Sequence, residues 1–313
     1  MSRANELTGW AAGSVQPALE RLALGLLGLW ERATQAKTGA RSAQVPIRDI
    51  AFGGMWLVVR LQDDACGRAF MFTGAHEVYG PLDLGAFERM QALVGQPVGE
   101  AFSWATSERG AAELGAIVAG ALALACLNAV SAAGNTPEAL ATAGLTLLDD
   151  CVGELVRPGD RVAVVGAGMY LRELRESGAT VDVIDMRPAC DLMSAHVTAA
   201  GVELFPRGLR FHGTQDTEEL FAQADVLFLT GCALVNGTFF DLMALPRRAR
   251  DVVMFGPSAG APFAALAELG VTCVSGSSVA DTDGLIEATL GGMASRQMPR
   301  ELTRPYVATF PRS

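Results

Sequence analysis

The sequence is poor in the residues that hold metals. It has only three histidines, at 76, 196 and 212. Its six cysteines stand singly at 66, 126, 151, 190, 232 and 273. No two form a Cys-x-x-Cys pair, which excludes a zinc knuckle or a thioredoxin-type site. A His/Cys cage would have to collect donors from distant elements with no local spacing to help. Scattered single thiols fit a reducing cytoplasm, where each sulfur acts as a small core group. We expect no structural metal.

Positive charge is also scarce. The chain carries 24 Lys and Arg against 34 Asp and Glu, a formal charge of −10, and no basic run. A nucleic-acid partner is therefore not expected. No signal peptide is read at the N-terminus: Leu22 to Trp30 is apolar, but Arg21 and Glu31 flank it and no cleavage site follows. One uncharged run, Leu114 to Pro137, has membrane length. It is richer in Ala and Gly than in Leu and Ile and contains Asn128, so we expect a buried helix rather than a span. The expected partner is a small molecule, with a homodimer left open.

What the chain has in plenty is apolar residues, half of its 313 positions. That length favours two domains, placed at 1–135 and 136–313. Residues 14–36 read as an amphipathic helix capped by Ser14, with Leu19, Leu22, Leu26 and Trp30 at helical spacing. Ile47 to Leu61 reads as one strand with a bulge at Gly53-Gly54, and Arg68 to Thr73 as a second, joined by a turn at 62–67. Helices are expected at 82–93 and 111–133. This first part is an α+β module. Beyond Gly134-Asn135-Thr136-Pro137 a helix over 137–155 leads into alternating elements. Strands are expected at 161–166, 181–185, 203–211, 225–230, 251–256 and 271–275. Helices are expected at 169–177, 189–200, 216–223, 235–245, 259–269 and 283–291. That alternation predicts an α/β fold with a doubly wound parallel sheet.

The stretch from Arg157 to Arg187 carries the strongest chemical signal. A turn and a buried strand lead into Gly166-Ala167-Gly168-Met169-Tyr170, then a helix, then a strand ending at Asp185. This is the opening βαβ of a nucleotide-binding half-sheet. Glycines let a ligand approach the backbone, and an acid roughly 20 residues on can accept bonds from both ribose hydroxyls. A dinucleotide fingerprint would place a third glycine near 171, where Leu171 stands, and a P-loop would need a lysine. Those departures favour S-adenosylmethionine, whose binding puts no pyrophosphate in the loop. The bland alternative is a crossover whose glycines merely allow a tight turn.

Other strand ends add small polar residues: Thr230 through Thr238, Gly256 to Pro262, and Gly276 to Asp281. We expect Gly166, Gly168 and Tyr170 to floor the site and Asp185 to hold the ribose. Thr230, Asn236 and Ser258 would orient the amino-acid end, although Asn236 and Ser258 could equally cap helices. Cys232 reads as a core thiol before a nucleophile. His76, Glu77 and Tyr79 follow the second strand of the first module and would close the cleft as acid, base or ligand, or form an exposed loop. His196 is expected in mid-helix. An Asp185→Asn change is expected to leave fold stability nearly untouched.

Taken together the chain resembles a two-domain family whose C-terminal domain is Rossmann-like and labelled a putative heavy-metal chelation domain, and whose N-terminal domain is enolase-N-terminal-like. The matching pieces are Phe52 to Trp56, Gly67-Arg68-Ala69-Phe70, Leu124 to Ala129, Ala224 to Gly231, Val235-Asn236-Gly237-Thr238, Gly256-Pro257-Ser258 and Gly276 through Asp281. The resemblance implies a ligand site between the domains and a metal role. This chain, poor in His and without paired Cys, adds nothing to the metal role. Residues 187–215 are longer than the family's connection there.

Overall fold

The computed structural model describes residues 15–35, 43–53, 55–72, 85–187, 189–199, 201–293 and 297–310. The first helix, Val15–Gln35, buries Leu22, Leu26, Leu29 and Ala33 and leaves Leu24 exposed. This is the one-sided stripe of an amphipathic helix. Trp30 stacks on Phe102 with centroids 4.1 Å apart. Gly25 lies against the ring of Phe240, where a Cβ would come within 2.3 Å, so the helix can press onto Thr238–Ala244 from the other half of the chain.

Residues 47–61 form two strands rather than one. β1 (Ile47–Gly53) and β2 (Trp56–Leu61) pair antiparallel, and β3 (Cys66–Phe70) completes a three-stranded sheet. β1 ends at Gly53, where no side chain fits: a Cβ would lie 1.5 Å from the Thr289 carbonyl oxygen. The expected long helix is also divided. Glu108–Leu114, capped by Ser107, stops at Gly115, whose φ of 80° breaks the helical path. Ala116–Ser131 then runs with every residue from Val118 onward buried. Its small residues serve a close approach: Gly67 of β3 sits on it so tightly that a Cβ would lie 2.1 Å from the Ala125 carbonyl. A further helix, Val98–Ala105, was not anticipated.

The second sheet contains β4 (Thr146–Leu147), β5 (Arg161–Val165), β6 (Thr180–Ile184), β9 (Leu209–His212), β10 (Val226–Thr230), β11 (Asp251–Phe255), β12 (Cys273–Val279) and β13 (Thr303–Thr309). Their order is β4-β13-β12-β11-β10-β5-β6-β9. The six from β12 to β9 are parallel, and β13 and β4 close one edge antiparallel. The chain builds outward through β5, β6 and β9, then returns to β10 and builds the other way. The fold is therefore α/β and Rossmann-like, with its order reversing between β5 and β10.

Further details differ from expectation, and the strand expected over 203–211 divides into β8 (Gly201–Phe205) and β9, which belong to different sheets. Residues 137–155 form the helices Pro137–Thr142 and Cys151–Leu155 with β4 between them. Gly144, at φ 86°, lies between the first of these and β4. The helix expected over 189–200 covers only Ala189–Leu192, and β7 (Ser194–Thr198) with β8 (Gly201–Phe205) forms a ribbon. His196 thus lies on an exposed strand, in a segment whose Val197 and Thr198 favour extended backbone. β13, with a proline inside it, lies outside the alternating pattern that revealed the other strands. One apolar cluster joins the two halves, from Leu26, Leu57, Phe102 and Leu124 to Leu227, Leu234, Phe239 and Met254. Each such side chain contributes about 1.5–3 kcal/mol on burial.

Candidate functional site

Ligands of open parallel sheets bind beyond the carboxyl ends of the strands where the order reverses. Here that position lies over β5 and β10. Gly166, immediately after β5, has φ 88°, and a Cβ on it would lie 2.7 Å from Thr230 Cγ2 at the end of β10. The two loops therefore touch through a contact that only glycine permits. Gly168 differs. It is exposed, and a Cβ there would meet nothing closer than Phe255 at 3.6 Å. Protein packing does not demand a glycine at 168, which leaves its bare backbone available to an incoming molecule.

Tyr170 does not face that space. Its backbone is left-handed at φ 67°. Its ring packs against Phe228 and Phe255, at centroid distances of 5.7 and 6.1 Å, and its hydroxyl hydrogen-bonds the Ser275 hydroxyl. Burial pushes its phenol well above the ordinary value. Tyr170 anchors the loop to the core and keeps the turn into Leu171–Glu176 in a strained conformation.

Asp185 stands just past β6 with 9% exposure. Both its oxygens are used by its own chain. Oδ2 accepts from the Ala167 N–H at 2.7 Å and from Arg187 Nη2 at 2.8 Å. Oδ1 accepts from the Arg187 N–H at 2.9 Å and from Arg187 Nε at 3.0 Å. Burial works to raise this carboxyl, but the bonds from Arg187 and Ala167 and the guanidinium charge outweigh it and hold it below the usual carboxylate range. A ribose diol at Asp185 would have to replace Arg187. A cavity of about 240 Å³ adjoins the pair, lined by Met186, Leu192, Phe211, His212 and Gln215.

Thr230, Asn236 and Ser258 are drawn together around the end of β10, yet each is engaged inside the protein. Thr230 Oγ1 accepts from the Cys232 N–H at 3.3 Å. Asn236 Oδ1 accepts from the Thr238 N–H at 3.2 Å and its hydroxyl at 2.7 Å, while Nδ2 reaches Met186 Sδ at 3.5 Å. Ser258 Oγ accepts from the Phe70 N–H at 2.9 Å, tying β3 to the loop after β11. Cys232 is a core thiol: burial pushes it up to about 11, despite hydrogen bonds to Thr230 and Ser258. It is no thiolate at neutral pH. His76, Glu77 and Tyr79 lie outside the described residues.

A further group escaped the sequence reading. Arg68, in the middle of β3, is 6% exposed. Its Nη2 donates to Ser277 Oγ at 2.6 Å, its Nη1 approaches Met298 Sδ at 3.8 Å, and its Nε has no acceptor among the described residues. The guanidinium lies 5.6 Å from the centroid of Trp56, whose own indole N–H is buried without a partner. Burial pulls Arg68 down to about 10, and among the described residues no carboxylate acts to raise it. It is a cation at neutral pH. Asn128 donates to the Arg68 and Ser258 carbonyls at 2.8 and 3.4 Å, which explains the polar residue inside an apolar helix. The sequence signal was present but mute: Gly67-Arg68-Ala69-Phe70 sat among the matching pieces, with no sign of what surrounds it.

Metal ligation finds little support in these donors. Among the described residues no three His, Cys, Asp or Glu side chains gather where they could hold an ion. Cys66 and Cys126 are buried and pushed up to about 12, far from the thiolate a metal needs. His212 is held by Asp182 at 2.7 Å, itself paired with Arg210.

The chain is similar to known proteins over nearly all its length. Two family models match, both described as "Putative heavy-metal chelation": one over residues 151–308 and one over residues 35–131. A protein of unknown function from Desulfitobacterium hafniense, of the first family, has a crystal structure with TM-score 0.65 at 17% identity, covering 91% of this chain and 99% of its own. Another, from Pyrococcus horikoshii, gives TM-score 0.61 at 18% identity, covering 93% and 98%. These likenesses show a shared fold. No curated protein matches the chain.

Proposed function

For a chain that belongs to the family described as putative heavy-metal chelation, we propose an enzyme that binds S-adenosylmethionine or a related adenosine compound and transfers or cyclises part of it. The observation that carries this reading is the glycine loop after β5. Gly168 is bare backbone that packing does not require, placed where the strand order reverses and one strand from the acid at the end of β6. The adenosine compound would supply a sulfonium, an already activated leaving group.

The protein's part is then binding and positioning. Asp185 holds the ribose once Arg187 yields its bonds. Gly166 keeps the β5 and β10 loops in contact, and Thr230, Asn236 and Ser258 stiffen the wall beneath the ligand. His76, Glu77 and Tyr79 remain the candidates for acid and base.

The family's description favours a second reading, a non-catalytic binder of a metal or metal chelate. Native mass spectrometry of the purified protein, with metal analysis of the same sample, separates the two. Calorimetric titration with S-adenosylmethionine, S-adenosylhomocysteine and NAD completes the test. A bound adenosine species or micromolar adenosine binding sustains the proposal. A stoichiometric metal with no adenosine binding overturns it in favour of the second reading.

A further inference from the structure

We infer that Arg68, with the Ser277 hydroxyl, forms a carboxylate-binding site that receives the amino-acid end of the ligand. A buried guanidinium loses its hydration, and proteins normally offset that loss with an acid. This protein does so for its neighbour. Arg60, also buried on the same sheet, meets Asp64 Oδ1 at 2.6 Å and Asp283 Oδ1 at 2.6 Å. Among the described residues Arg68 meets no acid. Its bonds are to a hydroxyl and a thioether, the latter a weak acceptor on a flexible side chain. Two buried donors, Arg68 Nε and Trp56 Nε1, have no acceptor among the described residues. Donors in excess beside an uncompensated positive charge match the needs of a carboxylate, which offers charge and several lone pairs but no hydrogen.

The position suits this role. Ser277 lies on β12, beyond the stretch where β12 pairs with β11, so it is on the ligand-binding side of the parallel sheet. Ser258 and Asn128 bind the backbone of Arg68 and Phe70 to the loop after β11. Gly276, next to Ser277, must be glycine because a Cβ would lie 2.6 Å from the Tyr306 hydroxyl. Arg68 therefore reaches the sheet's carboxyl end from the first sheet, on the opposite side of the order reversal from Asp185. The identity of the ligand rests on the adenosine reading, whereas the anion site stands on Arg68 itself.

The test uses Arg68→Met and Arg68→Lys in the full chain. If the charge lacks a protein partner, Arg68→Met melts no lower than wild type without ligand. A clear fall in its melting temperature, restored by Arg68→Lys, would make Arg68 a structural strut and overturn the inference. Calorimetric titration then compares S-adenosylmethionine with 5′-methylthioadenosine, which lacks the amino-acid end. We expect Arg68→Met to bind the former about ten- to a hundredfold more weakly and the latter unchanged. Equal affinity of wild type and Arg68→Met for S-adenosylmethionine sinks the carboxylate site. If wild type binds neither adenosine compound, the adenosine reading has failed, and L-methionine decides the anion site alone. Binding that Arg68→Met weakens supports it, while no binding, or binding alike in both proteins, overturns it.

Discussion

Two buried charges stand at the carboxyl end of the parallel sheet, one on each side of the order reversal, and they are treated in opposite ways. Asp185, past β6, is satisfied: two backbone N–H groups and a guanidinium fill both oxygens. Arg68, reaching the end of β12 from the other sheet, has one hydroxyl, one distant sulfur and, among the described residues, no acid. The satisfied charge holds its own loop, and so part of its value is structural. The unsatisfied charge costs stability that a different residue would not cost. Burial alone therefore does not mark a functional residue. What discriminates the two is whether the protein itself supplies the counter-charge.

The harshest way to break this comparison is to move one side of it. Gly67 lets β3 lie against the buried helix, and a Cβ there would lie 2.1 Å from Ala125 O and 2.2 Å from Ala129 N. Neither atom can retreat without breaking helix hydrogen bonds. Gly67→Ala should cost about 3 kcal/mol or more, the upper range of overpacking. A urea midpoint near that of wild type would show that the strand and helix are less tightly joined than the structure has them.

The next effect is smaller and bears on Asp185. Asp185→Asn removes the charge and replaces an acceptor with an amide donor facing Arg187. It should cost about 1.5–3 kcal/mol, the worth of hydrogen bonds to a charged group. This reverses the sequence-based expectation of a neutral change, which assumed a carboxylate facing an open cleft. Arg68→Met should go the other way, unchanged or more stable by about 1 kcal/mol, because it removes a buried cation with no counter-charge. Opposite signs in parallel denaturant titrations sharpen the contrast, and equal losses would erase it.

The parallel sheet was legible in the sequence because its strands are short apolar runs bounded by turn residues. Arg161–Val165, Val226–Thr230 and Asp251–Phe255 lie within a residue of their expected limits. Elements whose character depends on a neighbour were not legible. Gly53 sits where a Cβ would run into the Thr289 carbonyl of a distant segment, and Gly115, at φ 80°, divides the helix expected over 111–133. The same holds at the site. Gly166 and Asp185 were placed correctly at strand ends, since local spacing puts them there. That Arg187 folds back onto Asp185, and that no acid among the described residues meets Arg68, are matters of tertiary packing that no local pattern carries.

The smallest effect is the most specific to Asp185. Its folded carboxyl lies below the ordinary value of 3.8. A carboxylate of lowered pKa contributes stability that is fully present above its unfolded value and is lost as pH falls through the folded one. A protonated Asp185 is chemically close to asparagine, a neutral group with one donor and one acceptor side. The stability gap between wild type and Asp185→Asn should thus stay constant from pH 7 to pH 5 and begin to close only below about pH 4. Asp160, whose carboxyl is lowered mainly by its bond from Arg250, titrates in both proteins and cancels from the difference. Melting curves of the pair at several pH values measure this directly. A gap that already narrows between pH 7 and 5 would mean that the Arg187 bonds do not hold the carboxylate. Asp185 would then be the open acid that the sequence alone suggests, and the contrast with Arg68 would fall.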